Sequence, residues 1–175
     1  MILKFCGIKT KVEALSIRPL NINMVGFIHY PKSKRHLDIE QINKLSRLLP
    51  DEIDRVVVLV NPTLQLIKKI INATNINAIQ LHGDETIDFI KQLRLIFKNI
   101  KIIKALPATQ NIINDINQFK EHIDLFIIDT PSEQYGGTGQ SFDWTLLKGL
   151  DQSIPFLIAG GIDVDKICLL YTSPS

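Results

Sequence analysis

The chain reads as an α/β protein with a parallel sheet, organised as a (β/α)8 barrel that stops after its seventh strand. Three observations carry that expectation. Short β-branched apolar runs alternate with segments of helical period, the pattern of successive βα units. The strands begin roughly every 22 to 31 residues, the repeat such units need. Polar or reactive positions then fall at or just after the strand ends: Cys6, His29, Asn61, His82, Lys104–Ala105, Asp129 and Gly160. An open doubly wound sheet also buries both faces of apolar strands, but it concentrates its site at one switch point. Chemistry offered by nearly every strand end suits a barrel mouth, which favours the closed form.

The strand runs are Ile2–Cys6, Met24–Ile28, Arg55–Val60, Ala78–Leu81, Lys101–Ala105, Leu125–Asp129 and Phe156–Ala159. Each is apolar almost throughout, as a strand covered on both faces should be. Between them, Ile39–Leu49, Thr63–Asn72, Thr86–Phe97 and Ile112–His122 have helical period; Ile39, Ile42, Leu45 and Leu49 share one face. Pro62 stands just inside one predicted helix, and Asp84-Glu85 open another. Phe142, Asp143 and Trp144 open a further helix after a glycine-rich loop. No linker or low-complexity segment interrupts this order, so residues 1–175 are expected to form a single domain. An eighth βα unit would need roughly 25–30 further residues at this spacing. The end of the chain, CLLYTSPS, breaks helical period, so either the residues from about Cys168 onward are expected not to be native continuation or the sequence is expected to be a fragment.

Composition bounds the function. A 45% hydrophobic and 22% charged chain of 175 residues is an ordinary globular domain with a real core. A formal net charge of +2, with both signs interspersed, leaves no footprint for nucleic acid or an anionic membrane. No apolar run reaches the roughly 20 residues of a membrane span. The start, MILKFCGIKT, is too quickly polar for a signal peptide and reads as a strand. Cys6 and Cys168 make neither metal-ligand spacing nor a disulfide framework, which points to free thiols and a cytoplasmic protein.

The most informative stretch is DLFIIDTPSEQYGGTGQSFDW, residues 124–144. A buried strand ends in a carboxylate, Asp129, and a loop follows with Gly136, Gly137 and Gly139, whose bare backbone can approach an anion. Cys6, in FCGIK, ends the first strand. A thiol and a carboxylic acid on opposite sides of one mouth can move protons as base and acid. Against this stands the commoner fate of each residue alone, a core thiol and a helix cap. Arg35, in YPKSKRHL, can clamp a carboxylate with its planar fork, although a basic loop is more often only solvated. His82, in QLHGDE, follows the fourth strand, where a local hydrogen bond is commoner than catalysis. Gly160-Gly161 follow the seventh strand, and their N–H groups, with those of Gly136–Gly139, could hold a phosphate between neighbouring loops.

Taken together, KFCGIK, GFIHYPKSKRHL, VVLVNP, IQLHGDE, IIKALP, IIDTPSEQYGGTGQSFDW and FLIAGGID resemble the phosphoribosylanthranilate isomerase family of tryptophan biosynthesis, in that family's order from residue 3 to about residue 165. The resemblance implies a TIM barrel and an Amadori rearrangement of N-(5′-phosphoribosyl)anthranilate to the 1-deoxyribulose 5-phosphate product, with no cofactor and no metal. It implies Cys6 as general base and Asp129 as general acid. It gives Arg35 the anthranilate carboxylate and places His82 in the same pocket. It assigns phosphate binding to Gly136, Gly137, Gly139, Gly160 and Gly161. The implied partner is a small phosphorylated substrate. His29 stands where the family usually has an aromatic such as Phe, and Lys34 replaces a common Pro. The competing readings are another phosphate-binding barrel isomerase or synthase, and an inactive or partly folded barrel fragment.

Overall fold

The computed structural model describes residues 2–130 and 143–160. Seven strands, all parallel and paired in chain order, form one sheet: β1 Lys4–Cys6, β2 Met24–Ile28, β3 Asp54–Leu59, β4 Ala78–Leu81, β5 Lys101–Pro107, β6 Leu125–Asp129 and β7 Phe156–Ile158. Sequential order with parallel pairing excludes the doubly wound alternative, which requires the strand order to reverse. It leaves the curled sheet of a (β/α) barrel. The strand expectations held to within a few residues, although β1 begins at Lys4 and β5 runs on to Pro107.

Register assigns the faces. Met24, Val56, Ala78, Ile103, Ala105, Leu125 and Ile127 pack together on the inner face, with Leu157 and Ala159 against them. The alternate residues, among them Val25, Phe27, Val57, Leu59, Ile79, Leu81, Ile102, Phe126 and Ile128, form a larger cluster under the helices. Two buried faces explain why the strands lack polar alternation. Among the described residues β1 and β7 have one sheet neighbour each, and Phe5 is exposed although its sequence context is as apolar as that of the central strands.

The helices are α1 Lys11–Ser16, α2 Ile39–Ser46, α3 Leu64–Ala73, α4 Ile87–Ile96 and α5 Ile112–Phe119, with 3-10 turns at Lys120–His122 and Trp144–Leu147. Sequence periodicity missed α1, which is too short to show it. A capping box marks its start instead: Glu13 N–H donates to Thr10 Oγ1 and Thr10 N–H to Glu13 Oε2. The expected helix openings are corrected by the observed caps. Thr63 and Thr86 are the N-caps of α3 and α4, accepting from Leu66 N–H and Phe89 N–H. Pro62 therefore lies before the cap, and Asp84 and Glu85 lie in the loop ahead of α4. The opening expected at Phe142–Trp144 is a 3-10 turn capped by Asp143, with Phe142 itself outside the described residues.

Candidate active site

The C-terminal ends of the strands form the mouth, and inward register selects what faces it. Cys6 pairs with Gly26 across β1 and β2, and Lys4 pairs with Met24 on the same face. A Cβ on Gly26 would fall 2.7 Å from Cys6 Sγ and 3.0 Å from Lys4 Nζ. The missing side chain is what lets these two groups meet there. Cys6 is exposed and free. Arg35 reaches over from the loop after β2, its Nη1 donating to Cys6 O at 3.3 Å. Its stem lies on Gly7, which has φ +89 and whose added Cβ would come 2.5 Å from Arg35 Cδ. Gly7 thus serves twice, by adopting a left-handed conformation and by leaving room for the arginine. Lys9 Nζ donates to Lys34 O at 2.9 Å and ties the two loops together.

His82 follows β4 in line with the inward-facing Ala78 and Gln80. Gln80 Nε2 lies 3.1 Å from His82 Nδ1, and His82 Nε2 lies 3.7 Å from Asp129 Oδ2. Gln80 thus stands on the Nδ1 side of the ring and Asp129 on the Nε2 side. Burial holds the His82 pKa below its ordinary value; the Asp129 carboxylate works against this, and Lys104 and Lys4 reinforce it. The ring is therefore neutral at pH 7. Asp129 ends β6 and accepts Thr130 N–H on Oδ1 at 2.9 Å. A Cβ on Gly160 would collide with Thr130 Oγ1 and lie 3.0 Å from Asp129 Oδ1, so Gly160 itself lies directly against the carboxylate.

Cys6, Arg35, His82, Asp129 and Gly160 thus gather at the mouth. Gly136, Gly137, Gly139 and Gly161 lie outside the described residues, as does the segment from Cys168 onward. Three strand-end positions do other work. Lys104 lies within β5 on its outer face, in register with Leu81, because the strand continues past it. Its buried ammonium donates to Glu85 Oε2 at 2.7 Å and Gly83 O at 2.6 Å. Glu85 Oε1 in turn accepts from Asn61 N–H and Gly83 N–H, so one buried ion pair locks the loops after β3 and β4. Asn61, at φ +47, accepts Asp84 N–H on its side chain. His29 places Nδ1 2.7 Å from Leu37 O and packs its ring beside His36.

Sequence reasoning missed Lys4, Gly26 and Gln80. Signals existed: Lys4 is two residues from Cys6 on a strand, hence on the same face, and a lone glycine inside a strand marks a close approach.

A parallel barrel sheet with a thiol, a carboxylate, a histidine and an arginine gathered at one mouth is the architecture of a (β/α)-barrel enzyme. The family described as N-(5'phosphoribosyl)anthranilate (PRA) isomerase matches residues 3–172. An N-(5'-phosphoribosyl)anthranilate isomerase of Staphylococcus haemolyticus (strain JCSC1435) is 99% identical over 172 residues, covering 98% of this chain and 83% of that relative. One from Staphylococcus epidermidis (strain ATCC 12228 / FDA PCI 1200) is 54% identical over 167 residues, covering 95% and 80%. Among solved structures, phosphoribosyl anthranilate isomerase from Thermotoga maritima superposes with a TM-score of 0.81 at 32% identity, covering 93% of this chain and 78% of that one. A phosphoribosyl anthranilate isomerase in complex with reduced 1-(o-carboxyphenylamino)-1-deoxyribulose 5-phosphate superposes with a TM-score of 0.80 at 29% identity, covering 97% and 80%. The chain belongs to the phosphoribosylanthranilate isomerase family.

Proposed function

We propose that Cys6 and Asp129 are the base and acid with which this chain performs its family's reaction. That reaction is the Amadori rearrangement of N-(5′-phosphoribosyl)anthranilate to 1-(2-carboxyphenylamino)-1-deoxyribulose 5-phosphate in L-tryptophan biosynthesis. The observation carrying the reading is the convergence of the Cys6 thiol and the Asp129–His82 pair on one mouth, joined through Lys4, which faces the thiol over Gly26 and acts electrostatically on His82.

Asp129 in its acid form gives its proton to the furanose ring oxygen and is left as the carboxylate; the C1′–O bond breaks, and the nitrogen lone pair forms a C1′=N iminium. Cys6 then removes the C2′ proton, and the electron pair neutralises the iminium to an enolamine, which settles to the ketone. Every step moves a proton or an electron pair within the substrate, so acid–base groups suffice. His82, whose charged form burial disfavours, stands beside Asp129 and holds it in position. Arg35, held over the end of β1, is placed for the anthranilate carboxylate, where its fork gives two parallel charge-assisted bonds. Backbone N–H groups of the glycine loops, at Gly136, Gly137, Gly139, Gly160 and Gly161, supply the phosphate site. The substrate is thus a small phosphorylated anion. The near-neutral, interspersed charge of the chain supports that partner over nucleic acid, and the free thiol supports a cytoplasmic setting. No described helix is long and apolar enough to cross a membrane. Residues 1–175 are read as one barrel domain.

Turnover is tested by incubating the protein with N-(5′-phosphoribosyl)anthranilate and following loss of substrate fluorescence, with product identity checked by mass spectrometry. Production of a different isomer, or turnover that survives loss of both Cys6 and Asp129 side-chain functions, would overturn the assignment.

A further inference from the structure

We propose that Lys4 is the electrostatic partner of Cys6: its ammonium faces the thiol sulfur across the bare Gly26 and stabilises the negative charge the sulfur carries before it takes a proton. The proposal rests on the reading of Cys6 as the base.

The strand supplies the geometry. A period of two puts Lys4 and Cys6 on the same face of β1, and register sets them beside Met24 and Gly26. The level of Met24 is low in the barrel, but the lysine stem carries its nitrogen up to Gly26. Sulfur and nitrogen lie 2.7 Å and 3.0 Å from a single point, the position of a Gly26 Cβ. They are therefore within about 6 Å of each other, the range over which one charge biases its neighbour's ionisation. A side chain at Gly26 would occupy that space and come between them.

The other charged groups around the sulfur do not substitute for Lys4. Arg35 holds Nη1 on the Cys6 carbonyl oxygen rather than on the sulfur. His82 is kept neutral, chiefly by burial, so it adds no positive charge. Asp129 lies across the mouth beside His82 and supplies no positive charge. Lys104 faces Glu85 on the outer side of the sheet. Among the described residues no carboxylate pairs with Lys4 Nζ, which leaves its charge for the mouth.

The chemistry needs such a charge. A thiol cannot remove a carbon-bound proton, whereas a thiolate can, and a nearby ammonium favours the thiolate. In the step itself the sulfur lone pair takes the C2′ proton and the C–H electrons move into the C1′=N bond. Lys4 stays protonated throughout. It acts through Cys6 and is a positioning residue.

The test reads Cys6 in the free enzyme. Iodoacetamide alkylation is followed at pH 7, with peptide mass spectrometry separating Cys6 from Cys168. Lys4→Met should slow alkylation of Cys6 about tenfold and lower kcat by a similar factor, with KM within about twofold. Lys4→Arg should restore most of both. In the unsubstituted protein, Cys6 should alkylate faster when folded than in the urea-unfolded chain, a comparison that needs no variant. Unchanged alkylation in Lys4→Met, or a rise in KM alone, assigns Lys4 to substrate binding and overturns the proposal. A folded rate no higher than the unfolded rate overturns it too. Failure of the base reading is separate: Cys6→Ser with near-normal kcat removes the base role, while the alkylation result stands by itself.

Discussion

The two ends of the sheet use the same side-chain types in opposite ways. At the N-terminal ends of the strands, every polar group named here is tied to another strand. Asn23 Oδ1 accepts Leu3 N–H, Asn77 Oδ1 accepts Arg55 N–H, and Asn77 Nδ2 donates to Asp54. Lys101 pairs with Asp54. Asp124 Oδ2 accepts both Ile102 N–H and Arg94 Nη2, each at 2.7 Å, while Arg94 also holds Ile100 O and His122 O. At the C-terminal ends Lys104, Glu85 and Asn61 are likewise tied to one another, but two groups that face the mouth are not. Cys6 is exposed, and Arg35 makes one 3.3 Å side-chain contact to a carbonyl. Saturated pairs fasten strands; groups with spare bonding capacity remain for a ligand. One end of a barrel serves stability and the other chemistry because strand-end loops can vary at the mouth while the floor holds the register.

The sharpest break in this comparison is expected at the two proposed proton-transfer residues. Cys6→Ser and Asp129→Asn should each lower kcat by about 10²-fold or more, with KM within a few-fold and the urea midpoint little changed. A near-normal kcat in either variant removes that residue from the mechanism. The converse belongs to the floor. Asp124→Ala strips acceptors from Ile102 N–H and Arg94 and should cost about 1–3 kcal/mol of stability, read from urea unfolding, with kcat unchanged. A large kcat loss in a stable Asp124→Ala protein would mean the two ends are not separable.

Substrate binding comes next in size. Arg35→Ala should raise KM about tenfold, and Arg35→Lys by less, because lysine keeps the charge but loses the fork. Gly7→Ala should resemble Arg35→Ala in KM, since the added methyl displaces the arginine stem; an unchanged KM would return the loop to a solvated role.

The smallest effect is a pH slope. Burial lowers the His82 pKa from its model-compound value of 6.5, so the unfolded chain binds this proton more readily than the folded one. The stability this contributes is complete above that ordinary value and is lost as pH falls below it toward the depressed folded value. The thermal midpoint should therefore decline on acidification from pH 7, and the decline should be shallower in His82→Gln. His36, lowered by burial and by His29, adds a slope of the same sign that remains in the variant. An identical slope with and without His82 would show that the ring is not held neutral by its site.

What could be read in advance differs along the chain for physical reasons. The central strands were legible because two covered faces force continuous β-branched runs, and α2 to α5 because one buried stripe imposes a period. Cys6, Arg35, His82, Asp129 and Gly160 were legible as strand-end residues. Lys104 also read as a strand-end residue, yet β5 continues beyond it and turns it outward to Glu85. Glu85 read as a helix opener, and the fold instead buries it between two loops.

By itself the sequence determined the alternation of strands and helices and the parallel sheet, because periodicity is a local property of neighbouring residues. Its motif set further pointed to the family and to Cys6, Arg35, His82, Asp129 and Gly160. Tertiary structure alone decided which polar groups are spent on each other and which remain for chemistry. That choice depends on register between strands far apart in the chain: Gly26 opposite Cys6, Lys104 beside Leu81, and Gly160 against Asp129. A single-residue slip would reverse each face, and no local pattern records which neighbour a side chain will meet.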